Sequence, residues 1–136
     1  MDLLNRDTDY AVRAIIFLSK RKGDLTSSLE IEKELGIPRP FLRKILQVLK
    51  KNKILESVKG NKGGFFLLKD SRKLFLSNVV EIFQGKIDFA QCLFKKKICP
   101  AISSCPLRKK IKGIESSVSS QLGKITIASL TKGQKR

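Results

Sequence analysis

The residues best suited to chemistry are three cysteines gathered within fourteen residues, Cys92, Cys99 and Cys105, in the pattern Cys-x6-Cys-Pro-x4-Cys-Pro. Thiolates in a short loop suit soft metals, because sulfur is a polarisable donor and a loop lets several ligands converge. Three thiolates leave an iron–sulfur cluster one ligand short of the usual four. Zinc held by three cysteines needs a fourth group as well. The chain has no histidine, so Ser-His-Asp and Cys-His catalytic arrangements and a histidine metal ligand are excluded. Three thiols cannot all pair within one chain, which argues against a disulfide framework. Lys95, Lys96 and Lys97 stand beside the thiols, where they favour thiolates and offset the charge of an anionic cluster. The bland alternative is three small buried apolar residues, and spacing alone is a weak motif.

The second chemical signal is charge. Of 136 residues, 29 are basic and 12 acidic, a net charge of +17. Such an excess favours a polyanionic partner, nucleic acid first and an anionic membrane second. It is also unevenly placed. Residues 36–62 carry eight basic side chains against Glu56, and residues 95–136 carry eleven against Glu115. Two dense blocks suggest a binding footprint more than general solubility. With 41% hydrophobic residues the chain can build a core. No apolar run approaches the ~20 residues of a membrane span. The opening MDLLNRDTDY lacks a signal-peptide pattern, so a cytoplasmic protein without membrane partners is expected. No acid–base pair or nucleophile site is visible, which argues against an enzyme.

The elements that must position these groups follow from periodicity and caps. Residues 7–20 form an apolar helix through Ala11, Ala14, Ile15 and Leu18, with Asp7 or Thr8 as its cap. Ser27 and Glu30 have capping-box spacing and open a short helix stopped by Gly36. After the turn GIPRP, Pro40 starts a further helix whose apolar face is Leu42, Ile45, Leu46 and Leu49. Its opposite face carries Arg39, Arg43, Lys44, Gln47, Lys50 and Lys51. Helix, tight turn and basic amphipathic helix make a helix-turn-helix. Strands at 54–58 and 65–68 flank KGNKGG and form a hairpin wing with Lys59 and Lys62 at its tip. KGNKGG lacks the spacing and the strand–helix setting of a phosphate-binding loop.

Ser77 is placed to cap a helix over 78–84, and residues 86–106 form an irregular loop holding the cysteines. From Pro106 a helical pattern returns. Leu107, Ile111, Ile114, Val118, Leu122 and Ile125 advance nearly as a heptad seam, which suits a dimer, although the same face could pack on its own domain. Gly113 and Gly123 weaken this helix by up to ~1 kcal/mol each, so it needs a partner surface. The expected fold is mainly α with a small β-hairpin wing: a winged helix-turn-helix over 1–85, a cluster loop over 86–106, a dimerisation helix over 107–130 and a tail over 131–136.

In this order of elements the chain resembles the IscR and NsrR type of bacterial iron–sulfur transcription regulators. The likeness is carried by TDYAVRA at 8–14, GIPRPFL at 36–42, SVKGNKGGF at 57–65 and Cys92…Cys99…Cys105-Pro106-Leu107. The resemblance implies a winged-helix homodimer that grips double-stranded DNA and holds a two-iron or four-iron cluster through Cys92, Cys99 and Cys105. The interval from Cys92 to Cys99 is longer than is common in that family. The family's fourth ligand is a histidine or a carboxylate in the first helix of the partner subunit; Asp9 falls at the carboxylate position. A carboxylate in a helix's first turn is also favourable on its own account. The resemblance places Arg39, Arg43 and Lys44 at the major groove and Lys59, with Lys62, on the wing, and Phe41 is counted with them as a DNA-binding residue. Position 43 is acidic in some relatives and arginine here, which implies a different operator.

The resulting expectation is a DNA-binding transcription regulator modulated by a cluster that senses redox state, nitric oxide or iron–sulfur status. A cluster-free thiol or zinc switch of the same fold, and a small iron–sulfur electron carrier, are the alternatives. The charge and the wing argue against a carrier, which needs neither.

Overall fold

The computed structural model describes residues 2–89 and 105–131. Helix α1 (Arg6–Lys20) turns a face of Ala11, Ala14, Ile15 and Leu18 into the core. Its cap is Asn5, not Asp7 or Thr8: the Asn5 side chain accepts from the Thr8 backbone N–H at 2.9 Å and from the Thr8 hydroxyl at 2.8 Å. The start of α1 is held further by Gln84, whose amide accepts from Asn5 N at 2.8 Å and donates to Leu3 O at 3.1 Å.

Helices α2 (Ser28–Leu35) and α3 (Arg39–Lys51) form the expected helix-turn-helix. Ser27 caps α2 by accepting from Glu30 N at 3.1 Å. Glu30 does not complete the box, because its carboxylate pairs with Arg21 at 3.0 Å. Gly36 closes α2 at φ 65°, a left-handed conformation that glycine adopts without Cβ strain. Leu42, Ile45, Leu46 and Leu49 of α3 are all buried, as their spacing requires.

Strands β1 (Leu55–Val58) and β2 (Gly64–Leu67) pair antiparallel, with Leu55 opposite Leu67 and Val58 opposite Gly64. Thr26 adds a bridge to Phe65, through N–H···O bonds of 3.0 and 2.8 Å. Gly64 makes this possible: a Cβ there would lie 2.6 Å from Thr26 O. The wing is thereby fastened to the segment that leads into α2.

Helix α4 (Leu76–Gln84) begins earlier than Ser77 would allow as a cap. Asn78 provides the local bond instead, accepting from Phe75 N at 3.0 Å. The larger difference lies at the C-terminus. The seam pattern predicts one helix over 107–130, whereas α5 (Pro106–Leu122) stops before Gly123 and a short α6 (Ile127–Thr131) follows. Between them the chain runs back along residues 74–76, with Leu76 N to Ile125 O and Ile127 N to Leu74 O both 2.8 Å. Ile127 is fully buried and Leu122 is 5% exposed, so the segment after α5 belongs to the core beneath the helix-turn-helix.

Candidate nucleic-acid interface

Burial of one row of α3 fixes what the opposite row can do. Arg39, Arg43, Lys44, Gln47, Lys50 and Lys51 are all exposed. Three of these cations already have carboxylate neighbours. Arg39 Nε lies 3.2 Å from Glu32, Lys44 Nζ 3.5 Å from Asp7, and Lys50 Nζ 4.0 Å from Glu56. Exposed pairs of this kind contribute little, so a phosphate can displace them. Among the described residues Arg43 makes no ion pair. Lys59 and Lys62 sit exposed in the turn between β1 and β2. The basic rows of α3 and the wing are thus presented by consecutive elements, with β1 leaving α3 after a short turn.

Phe41 has neighbours of its own beside the basic row. It is half-buried, with the Arg6 guanidinium stacked 3.9 Å from its ring centroid and the Tyr10 ring 6.4 Å away. It therefore supports the start of α3 from beneath. Arg6 and Asp7 were not legible as parts of this surface. Only the fold brings the first turn of α1 beside a helix some thirty residues later, and no local spacing signals it.

Of the cluster ligands, Cys92 and Cys99 lie outside the described residues. Cys105 occupies the N-cap position of α5 and is half-buried. Asp9 is half-buried and paired within its own chain, with Arg13 Nε 3.0 Å from Oδ2. Among the described residues no three cysteine or carboxylate side chains converge. The thiol of Cys105, the one cysteine among the described residues, is a donor that fits an anionic metal group. Arg108, one turn after Cys105, has a buried Nε without a hydrogen-bond partner among the described residues, and the N-terminal end of α5 favours negative charge.

The seam residues divide. Leu107 and Ile114 are 69% and 55% exposed, whereas Leu122 lies in the core and Val118 and Ile125 pack against it. Among the described residues no helix is long and apolar enough to cross a membrane.

A model of the Rrf2 family, described as iron-dependent transcriptional regulator, matches residues 4–133. Protein aau3 of Rhizobium meliloti is 30% identical over 132 residues, spanning 96% of this chain and 86% of that protein. The HTH-type transcriptional regulator IscR of Xenorhabdus nematophila is 27% identical over 127 residues, spanning 92% and 76%. Among solved structures, CymR, the global cysteine regulator of B. subtilis, superposes with a TM-score of 0.76 at 20% identity, over 96% of this chain and 97% of that one. That likeness bears on the fold, a winged helix-turn-helix. With the family match running through nearly the whole sequence, the chain belongs to the Rrf2 family and is a DNA-binding transcription regulator, not an enzyme.

Proposed function

We propose that the protein acts in the cytoplasm as a homodimer that reads an operator with α3 and the wing, and that an iron–sulfur cluster sets its operator affinity. The observation that carries the DNA-reading part is the exposed basic face of α3 followed directly by the basic hairpin turn. Arg39, Arg43 and Lys44 would meet base edges or phosphates in the major groove, and Lys59 and Lys62 the neighbouring groove or backbone. Dimerisation through α5 is supported by its uncovered apolar residues, Leu107 and Ile114. Such a helix is marginal alone and gains by burying that row against a second copy.

Cys92, Cys99 and Cys105 would hold the cluster, with Asp9 of the partner subunit as fourth ligand. When bound, it supplies a centre that reacts with oxidants or nitric oxide. The Asp9 side chain is 43% exposed and must leave Arg13 for this role, a partly exposed pair that costs little to break. The partnerless Arg108 Nε supports a nearby anion. A cluster-free thiol or zinc switch would use the same three cysteines. Absorbance of anaerobically purified protein, with iron and sulfide analysis, separates the two. A visible chromophore with stoichiometric sulfide is expected; colourless protein with free thiols or zinc would favour the switch. A salt-dependent mobility shift with genomic fragments tests the DNA-reading part, and its absence would overturn it.

A further inference from the structure

The first turn of α1 carries a cluster that the helix-turn-helix does not account for. The guanidinium carbon of Arg6 lies over the Phe41 ring, 3.9 Å from its centroid, and the side chain stays 59% exposed. Asp7 lies between two cations, with Oδ1 3.7 Å from Arg6 Nε and Oδ2 3.5 Å from Lys44 Nζ. Phe41 and Lys44 are three residues apart on α3, and so neighbours on its surface. Arg6 and Tyr10, four apart on α1, flank the same Phe41 ring.

A guanidinium held over an aromatic ring is restrained in position and keeps N–H groups to donate elsewhere. Arg6 meets its only described carboxylate at a distance too long for a good hydrogen bond. Lys44 is a point charge beside it, 69% exposed and loosely held by the same carboxylate. Two cations sharing one carboxylate at long range, on the edge of a DNA-reading helix, present a site for a second, stronger anion. We propose that Arg6 and Lys44 form a two-cation site for a backbone phosphate of duplex DNA, and that Asp7 occupies it in the free protein. Phe41 is the platform that aims Arg6. The inference rests on α3 being the DNA-reading helix, and adds a contact from α1 that extends the footprint beyond α3 and the wing.

The test is titration of a short fluorescent duplex of mixed sequence across a salt series, with wild-type protein, Arg6→Ala, Arg6→Lys, Asp7→Asn and Lys59→Ala. Arg6→Ala is expected to lose about 3–10-fold in affinity and about one unit of salt slope. Arg6→Lys should fall between, since it keeps the charge but loses the stack. Asp7→Asn should bind ~2–5-fold tighter, the magnitude of an exposed ion pair. A tighter variant cannot arise from misfolding. If Lys59→Ala weakens binding while Arg6→Ala leaves affinity and slope unchanged, the phosphate site is overturned and the interface of α3 and wing stands. If Asp7→Asn binds no tighter than wild type, the competing role of Asp7 is overturned. If wild-type protein shows no salt-dependent binding, the interface itself falls and the site with it.

Discussion

Arg43 differs from Arg39, Lys44 and Lys50 of α3, each of which has a carboxylate within 4.0 Å, in having none among the described residues. Its fork therefore needs no displacement before reading a base, and a planar guanidinium matches two acceptors on a guanine edge. Arg43→Ala should lose roughly 1–3 kcal/mol at the specific operator while non-specific binding changes less. Lys59 is different in kind. It sits on a turn, is exposed, and acts by charge, so Lys59→Ala should weaken all duplexes alike and reduce the salt slope by about one unit. Both follow from titrations at fixed and varied salt. Unchanged binding in both variants would remove helix and wing from the interface.

At the scale of elements, the wing depends on a close backbone approach. A Cβ on Gly64 would lie 2.6 Å from Thr26 O, and the bridge there joins the hairpin to the entry of α2. Gly64→Ala must push the strands apart, with an expected loss of about 1–3 kcal/mol in a thermal or urea melt. DNA binding should fall beyond what stability explains, since the wing tip is re-aimed. An unchanged melting midpoint would show that the bridge can shift freely. Local signals revealed most of these elements. Ser27, Gly36 and Pro40 mark their helix boundaries by chemistry that operates within a few residues, and the apolar rows of α1 and α3 matched the burial they meet. What escaped was long-range. Asn5 outcompetes Asp7 and Thr8 as cap with Gln84 bonded behind it, and the end of α5 is set by pairing between 125–127 and 74–76. The heptad spacing of Leu122 and Ile125 continued the seam on paper, but burial against their own core satisfies those side chains first. The site was legible in the same measure: α3 and the wing by pattern, Arg6 and Asp7 only through the fold.

For the molecule as a whole, α5 is the helix whose only substantial packing among the described elements is on α4. Ile114 is mid-helix and 55% exposed, so a charge there should cost a lone subunit almost nothing. In a dimer built on this row it would bury an unpaired carboxylate, and Ile114→Glu should yield monomers by ultracentrifugation. An intact dimer would place the interface elsewhere. In the proposed dimer, two-fold symmetry would make head spacing the quantity to be controlled, because recognition helices would have to meet successive major grooves about 34–36 Å apart. The first turn of α1 is where such control has purchase. Asp9, the proposed ligand, lies two residues from Asp7, which touches Lys44, and three from Arg6, which stacks on Phe41. A bond from Asp9 to the opposite subunit's cysteine loop would therefore tie that loop to the base of a recognition helix. Its loss frees Asp9 to return to Arg13. A mismatch of ~1.4 kcal/mol between the two arrangements already changes operator affinity tenfold. Cys99→Ala should thus abolish the visible chromophore and alter specific affinity. Asp9→Ala should keep three thiolates and hold the chromophore more weakly, bleaching faster in air. The deciding measurement titrates one operator fragment with cluster-loaded and cluster-free protein at the same ionic strength; equal affinities would sink the switch even with the chromophore present.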